Sequence, residues 1–241
     1  MPLKESGTEG STFFGDPTLD HDLPTVNEAF WNALIGHVER DGNPPPRAVL
    51  DIGCHTGGLL DALGRRFAPA KLYGIEPLAS ARSAALRLLS TTSATVSLLD
   101  PSEWDRVPAA SIDLVVSHEM LYLEPDLLDF MRRVRRVLAT GGVAYVVLGC
   151  HSENPLWQAW KTPLVAAGHR VSDHAPIEIM EAASVAGLLP SVQPLRRSGW
   201  ITYDPRRAEF RYPTARAMFE HHYLHKLIFC LEIADDGTVT S

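Results

Sequence analysis

A chain of 241 residues, 45% of them apolar, is long enough to form one large α/β core. Its formal net charge of −7 argues against a sequence-independent nucleic-acid surface, because such surfaces need clustered lysine and arginine. Cys54, Cys150 and Cys230 form no C-x-x-C pair, so the sequence predicts neither a zinc knuckle nor a disulfide framework. We expect a small-molecule partner, no nucleic-acid partner and no bound metal.

The first 46 residues are predicted to form an N-terminal arm followed by a cap helix. Residues 1–24 are rich in Gly, Ser, Thr, Asp and Pro, which predicts a mobile arm, although its Phe13-Phe14 pair could fold over a site. Apolar residues recur at helical spacing over 25–40, and the Gly/Pro-rich segment 41–46 ends that helix. The sequence has no basic-then-apolar leader and no apolar run of about 18 residues, so we expect a cytoplasmic protein without membrane segments.

From residue 47 onward, nearly continuous apolar runs alternate with helical stretches. This pattern is typical of a parallel sheet covered by helices on both faces. The predicted strands are 47–52, 71–76, 95–99, 112–117, 143–149, Gly199–Tyr203 and Leu227–Ile233, and the predicted helices are 57–67, 78–90, 125–138 and 177–187. We expect a single doubly wound α/β domain over residues 47–241, with a late aromatic insert at about 151–225.

The first of these strands ends in an acid and breaks into a glycine turn, with the sequence VLDIGCHTGG over residues 49–58. Gly53 and Gly57 allow backbone angles and close approach that a side chain would block, and the next helix points free N–H groups at whatever binds there. His55 stands between the two glycines, where a third glycine would be expected.

Polar residues also end the next three strands, which carry Glu76, Asp100 and the Ser117-His118-Glu119 segment. Ligands of parallel sheets bind beyond the carboxyl ends of the strands. A carboxylate at the second strand end, about 25 residues beyond the turn, can accept hydrogen bonds from both hydroxyls of a ribose. Asp51 or Asp100 taken alone could equally cap a helix or a turn. Together these positions predict an adenosine-like ligand.

Two common nucleotide sites do not fit the glycine spacing. Gly53, Gly57 and Gly58 do not satisfy the G-x-G-x-x-G pattern of dinucleotide-binding folds. The Gly-Lys-Ser/Thr ending of a P-loop is also missing.

Four segments resemble, in the same order, those of the class I S-adenosylmethionine-dependent methyltransferases, particularly the small-molecule type. They are Val49–Gly57, Gly74–Pro77, Ile112–Ser117 with Leu121–Asp126, and Val134–Gly142. The resemblance implies a Rossmann-like, doubly wound sheet of seven mostly parallel strands, with a reversed final strand at Leu227–Ile233. It also implies S-adenosyl-L-methionine as the cofactor and S-adenosyl-L-homocysteine as the product.

The same resemblance implies a role for individual cofactor residues. Asp51, Gly53 and Gly57 would hold the methionine end, Glu76 the ribose, and Asp100 the adenine amino group. Pro101 has no backbone N–H to offer the adenine ring, so either Ser102 substitutes or apolar packing holds the ring. The expected cofactor set is completed by Cys54, His55, Pro77, Pro101 and Ser117.

Methyl transfer is an in-line displacement, so a general base is needed only for some acceptors. The candidates are His118, Glu119 and Tyr122 after the fourth strand and His151 after the fifth. The two histidines are best matched to neutral pH, although each could equally be a pocket-wall residue with no proton role.

The late region is unusually aromatic, and acceptor specificity is expected to reside there. Its side chains could wall a planar acceptor, cage a cation, or simply pack as core. They are Trp157, Trp160, Trp200, Tyr203, Phe210, Tyr212, Phe219 and Tyr223. The histidines at 221, 222 and 225 lack a nearby Cys or acid to complete a metal site.

The sequence therefore predicts a methyltransferase for a small-molecule acceptor, possibly of natural-product metabolism, as a monomer or homodimer. Carboxyl, hydroxyl, amine and thioether acceptors stay open. One alternative is a protein or tRNA methyltransferase that uses the arginines at 206, 207, 211 and 216. The other is a non-catalytic S-adenosylmethionine-binding regulator, in which His55 is a sign of decay.

Overall fold

The computed structural model describes residues 13, 17–204 and 211–234. Phe14, Arg206, Arg207 and Phe210 lie outside the described residues. Within the described part, one seven-stranded sheet has the order β3-β2-β1-β4-β5-β7-β6. The strands are β1 Ala48–Ile52, β2 Lys71–Ile75, β3 Thr95–Leu99, β4 Ile112–His118, β5 Leu138–Leu148, β6 Leu188–Pro194 and β7 Leu227–Ile233.

Strands β1 to β5 pair in parallel, whereas β7 is antiparallel to both of its neighbours, β5 and β6. The prediction of a doubly wound sheet with seven mostly parallel strands and a reversed final strand is therefore confirmed. This topology brings the carboxyl ends of β1, β2 and β4 to one edge of the sheet.

Helices cover both faces of the sheet. They are α1 Pro17–Arg40, α2 Gly58–Phe67, α3 Ala79–Leu88, α4 Leu127–Val137, α5 Trp157–Ala166, α6 Pro176–Val185 and α7 Ala215–Glu220. Short 3-10 turns occupy Leu89–Thr91, Pro101–Arg106 and Leu121–Leu123, and α7 runs into a π-helical turn at His221–His225. None of the helices in the described ranges is long and apolar enough to cross a membrane.

Helix α1 begins at Pro17 rather than near residue 25, so part of the predicted mobile arm is helical. A proline is tolerated in the first turn because the N–H groups there have no partner within the helix. Its C-terminal half packs Phe30, Leu34 and Val38 into the core.

The prediction of a strand at Gly199–Tyr203 is wrong, because this segment has no regular structure and exposes Trp200. The missing strand is β6, which the sequence analysis did not identify because it contains Pro190 and Pro194. A proline has no N–H for the ladder and usually argues against a strand, but β6 lies at the edge of the sheet and pairs only with β7.

Alternate residues of β1 enter different halves of the core, as the pleat requires. Leu50 and Ile52 pack with α4, whereas Val49 packs with α1 and α2. Asp51 lies two residues after Val49, so its carboxylate is on the same face of the strand as that apolar side chain.

Candidate active site

A cavity of about 1100 Å³ opens beyond the carboxyl ends of β1, β2 and β4. Most of the predicted site residues line it. These are Asp51, Gly53, Cys54, His55, Glu76, Pro77, Pro101, His118, Glu119 and Tyr122. Gly57, Asp100, Ser117 and His151 do not.

The two glycines of the turn serve different purposes. Gly53 (φ +81°) lines the cavity, and a Cβ there would lie 2.8 Å from Cγ of Met120. Gly57 (φ +85°) faces α3, where a Cβ would lie 2.9 Å from Cβ of Ala85. The structure therefore explains Gly57 by its backbone angle and by the close approach of α2 and α3.

His55 adopts the left-handed backbone conformation that favours glycine, with φ at 45°. Its backbone N–H donates to Oε2 of Glu76 at 3.0 Å. The imidazole lines the cavity beside Phe13, whose ring centroid lies 6.5 Å away. Phe13 also lines the cavity, and its carbonyl accepts a hydrogen bond from His169.

Asp51 and Glu76 form the acidic end of the cavity. Asp51 is 2% exposed, and its Oδ2 has no hydrogen-bond partner among the described residues. Burial raises the pKa of Asp51 to about 8, and the nearby Glu76 contributes in the same direction. Burial also raises the pKa of Glu76, although its carboxylate accepts hydrogen bonds from the N–H groups of His55 and Leu78. Two buried carboxyls with unused lone pairs favour a ligand that carries a cation and hydroxyl groups.

The carboxylate of Asp100 caps the 3-10 turn at Pro101–Arg106 and pairs with Arg82 at 3.2 Å. Its Oδ1 accepts hydrogen bonds from both the N–H and the hydroxyl of Ser102. Asp100 therefore has the capping role that the sequence left open. Its carboxylate also accepts from the N–H of Ser102, the group that was considered as a replacement for the N–H that Pro101 lacks.

Two apolar side chains line the cavity where the adenine interaction was expected, Pro101 and Trp104. Trp104 was missed by sequence reasoning. It is buried, and its indole Nε1 has no partner among the described residues. A bare donor beside apolar surface suits a flat heterocycle with acceptor nitrogens.

Glu119 is held in place by other groups. Its Oε1 lies 2.5 Å from Nζ of Lys226, and its carboxylate accepts hydrogen bonds from the N–H groups of Gly149 and Cys150. Burial is the largest influence and acts to raise the pKa of Glu119, but the nearby charges, led by Lys226, and the hydrogen bonds to the carboxylate together outweigh it, so the pKa is lowered. Glu119 is therefore an ionised group committed to structural contacts.

His118 lines the cavity as a neutral imidazole whose Nε2 has no partner among the described residues. Burial, with the charge of Lys226 adding to it, lowers its pKa to about 3. A base this weak removes a proton poorly at neutral pH.

The other three predicted positions differ in their relation to the cavity. Ser117 donates its hydroxyl to the carbonyl of Ile52 at 3.0 Å and so ties β4 to β1. His151 is buried, and its Nε2 donates to the carbonyl of His225 at 2.7 Å. Burial lowers the pKa of His151. Tyr122 lines the cavity and packs against Trp157.

Four of the seven predicted aromatic residues that lie in the described ranges reach the cavity. Trp160, Trp200, Tyr203 and Tyr212 line it, whereas Trp157, Phe219 and Tyr223 do not. Trp157 is fully buried core, as its helical spacing allowed. The described residues contain no group of three or more side chains that could hold a metal ion.

A second polar cluster of the cavity was not predicted. It combines Phe30 of α1, Arg197 after β6, and His221, His222 and Lys226 before β7. Taken singly, Phe30 fits an apolar helix residue and Arg197 and Lys226 fit surface charges, whereas His221 and His222 were considered only as metal ligands. Only the folded topology brings them together, so no local signal in the sequence distinguishes them.

A family model described as a methyltransferase domain matches residues 21–183. The chain belongs to this methyltransferase family. It is 32% identical over 135 residues to a probable chloroplastic tocopherol O-methyltransferase of Oryza sativa subsp. japonica, covering 55% of this chain and 37% of that protein. The aligned segments span 37% to 65% of the length of three curated relatives.

Two solved structures have the same fold. One is a methyltransferase in complex with the Trm112 methyltransferase activator of Haloferax volcanii, with a TM-score of 0.73, 19% identity and coverage of 94% of this chain and 99% of that chain. The other is geranyl diphosphate C-methyltransferase from Streptomyces coelicolor A3(2), in complex with Mg2+, geranyl diphosphate and S-adenosyl-L-homocysteine. Its TM-score is 0.63 at 18% identity, covering 91% of this chain and 83% of that chain.

Proposed function

We propose that this chain transfers the methyl group of S-adenosyl-L-methionine to a small-molecule acceptor. The observation that carries the proposal is the pair of buried carboxyls, Asp51 and Glu76, facing one cavity at the strand ends of a methyltransferase-family fold. Oδ2 of Asp51 has no partner among the described residues, which supports a site that is completed by a cationic group.

The residues around this end of the cavity fit the proposed cofactor. Asp51 would hold its ammonium group, Glu76 its ribose hydroxyls, and Pro101 with Trp104 its adenine ring. When bound, the cofactor supplies an electrophilic methyl group on a sulfonium. The Streptomyces relative, which binds S-adenosyl-L-homocysteine on the same fold, supports this assignment.

The protein's own contribution would be alignment and exclusion of water. His118 and Tyr122 line the cavity beyond the carboxyl end of β4, and the cavity extends from there to Trp160 and Tyr212. His118 is too weak a base and Glu119 too firmly paired to remove a proton efficiently. Proximity would therefore supply most of the rate, which favours acceptors that arrive ionised or need no deprotonation.

We also propose the broader setting expected from the sequence. The described cysteines are free thiols, which supports a reducing cytoplasm.

The arginine patch considered for a macromolecular substrate has weak support, because Arg216 already pairs with Glu220. The Haloferax complex joins another methyltransferase to a protein activator, so a protein partner is compatible with this fold. Residues 1–46 are proposed as the acceptor-side cap and 47–241 as the methyltransferase domain, acting as a monomer or homodimer.

The test is to screen acceptors for S-adenosyl-L-homocysteine production, with acids, phenols, amines, thioethers, tRNA and protein fractions as separate arms. We expect turnover with a small molecule, abolished in Glu76→Gln and unchanged in Asp105→Asn, whose side chain is 99% exposed. Turnover only with tRNA or protein would favour the macromolecular alternative. If no arm yields product although the cofactor binds tightly, the proposed enzyme activity is wrong and the non-catalytic regulator is the remaining alternative.

A further inference from the structure

The second polar cluster surrounds the ring of Phe30, a residue of α1 that lines the cavity. Nζ of Lys226 lies 4.0 Å from the ring centroid, and Cζ of Arg197 lies 5.4 Å from it. The imidazole of His222 stacks on the same ring at 4.9 Å. Two cations therefore share one aromatic ring at the wall of the cavity.

Among the described residues, only one of these cations has a carboxylate partner. Lys226 pairs with Glu119, whereas Arg197 donates to Nδ1 of His222 at 2.8 Å and to the carbonyl of Trp200 at 3.1 Å. Both partners of Arg197 are neutral acceptors. Its Nε is buried and has no partner among the described residues, none of which places a carboxylate within 4.0 Å of the guanidinium.

The histidines of the cluster do not balance this charge. Burial lowers the pKa values of His118, His221 and His222, and the positive charge of Lys226 lowers all three further. Arg197 must be the donor to Nδ1 of His222, because a guanidinium has no acceptor, so His222 is held neutral. Lys226 and Glu119 cancel, and the guanidinium leaves the cluster with one uncompensated positive charge.

We propose that Arg197 binds a carboxylate of the methyl acceptor. This inference rests on the proposed function and names the acceptor class: a monoanionic carboxylic acid with an apolar, preferably planar, body. The guanidinium fork has five N–H donors, of which two are in hydrogen bonds, and it matches the planar geometry of a carboxylate.

Two features select this class over other ligands. The single uncompensated charge of the cluster matches one unit of negative charge, whereas a phosphate monoester or diphosphate would bring more negative charge than the cluster balances. The walls next to Arg197 are aromatic, since Trp160 meets Tyr212 at 5.5 Å and Tyr203 meets Tyr212 at 5.4 Å between ring centroids. Aromatic walls around one charged group are typical of a site for an amphipathic small molecule.

The experiment measures binding of benzoate, cinnamate, 4-hydroxybenzoate and octanoate, each beside its methyl ester, by calorimetry in the presence of S-adenosyl-L-homocysteine. We expect at least one acid to bind tenfold or more tightly than its ester, and phenyl phosphate to bind no better than benzoate. Arg197→Gln should abolish the preference for the acid. Arg196→Gln, which removes the adjacent exposed charge, should keep it.

Several outcomes would overturn the assignment. They are an ester that binds as well as its acid for every pair, a preference that survives in Arg197→Gln, or tighter binding of phenyl phosphate. The comparison of acid with ester in the unmodified protein stands even if Arg197→Gln does not fold. Calorimetry with S-adenosyl-L-homocysteine alone reports on the proposed function separately. If the protein prefers the acids but does not bind S-adenosyl-L-homocysteine, the proposed methyltransferase function is wrong and the carboxylate site stands.

Discussion

Two residues at the cavity wall carry backbone strain that the surrounding contacts maintain. His55 and Glu119 both have positive φ, at 45° and 53°, although neither is a glycine. The N–H of His55 is held by Glu76, and the side chain of Glu119 is held by Lys226 and the N–H of Gly149. Such strain is typical of sites where the local conformation serves a ligand.

His55→Gly tests whether the imidazole or only the backbone matters. Glycine relieves the left-handed strain of about 1 kcal/mol and keeps the N–H that donates to Glu76, at some cost in backbone entropy. We expect stability within about 1 kcal/mol of the parent and unchanged or tighter binding of S-adenosyl-L-homocysteine by calorimetry. A tenfold loss of affinity, about 1.4 kcal/mol, would instead identify the imidazole as a ligand-binding group.

Ala68→Gly is the matched control for this substitution. Ala68 has nearly the same angle, φ 46°, at the end of α2, and it does not line the cavity. The two variants should change the midpoint of thermal unfolding similarly. Any difference between their cofactor affinities then belongs to the imidazole of His55.

Lys226→Met tests the buried pair with Glu119. Removing the lysine leaves a buried carboxylate without its cation, so we expect a loss of about 3 kcal/mol in the free energy of unfolding, measured with urea. Arg216→Met breaks an exposed pair with Glu220 and should leave the free energy of unfolding nearly unchanged. Equal losses in the two variants would contradict the burial argument.

The pH dependence of this loss follows from the lowered pKa of Glu119. Its ionised form is favoured by folding, so the stabilisation is present above the unfolded pKa of about 4.3 and is lost as pH falls through the lower folded value. The stability difference between the parent and Lys226→Met should therefore shrink below about pH 4. Adding Glu119→Gln to Lys226→Met should restore part of the stability at pH 7.

At the scale of elements, the sequence predicts those strands and helices whose local pattern agrees with their final environment. Strands β1, β2 and β4 are apolar and lie in the interior of the sheet, and they were found within a residue or two. β6 was missed because its two prolines are acceptable only at a sheet edge, which is a property of the whole fold. The segment Gly199–Tyr203 shows the opposite error. Its local pattern is typical of a strand, but in the fold it lies outside the sheet.

Gly57→Ala tests the packing of α2 against α3. The added Cβ would meet Cβ of Ala85 at 2.9 Å in addition to the strain at φ +85°. We expect a loss of about 3 kcal/mol in unfolding free energy, with cofactor affinity nearly unchanged because Gly57 does not line the cavity. Gly168→Ala carries similar strain at φ +92° with nothing within 4 Å, and should cost only about 1 kcal/mol. Identical losses would show that helix packing is not the constraint.

At the scale of the whole molecule, the cavity is lined by a pair of carboxyl groups and by a basic cluster that come from different parts of the chain. Asp51 and Glu76 come from neighbouring strand ends, and their pattern made them predictable from the sequence. Arg197 and Lys226 come from the late segments that flank β6 and β7, and Phe30 comes from the first helix. No short-range pattern links these three, so the cationic end had to be found in the folded structure.

Asp51→Asn tests the acidic end through the pH dependence of the whole protein. The folded state holds a proton on Asp51 up to about pH 8, whereas the unfolded chain releases it near pH 4. The stability from this group is therefore full below about pH 4 and is lost as pH rises towards 8. Urea unfolding should show this decline in stability, and Asp51→Asn should reduce it.

An ammonium group bound beside the carboxylate of Asp51 would lower this pKa, so binding of S-adenosyl-L-homocysteine at pH 7 should release up to one proton. Calorimetry in two buffers of different ionisation enthalpy measures that release, which should disappear in Asp51→Asn and persist in Asp105→Asn. The same proton release in all three proteins would remove Asp51 from the cofactor site.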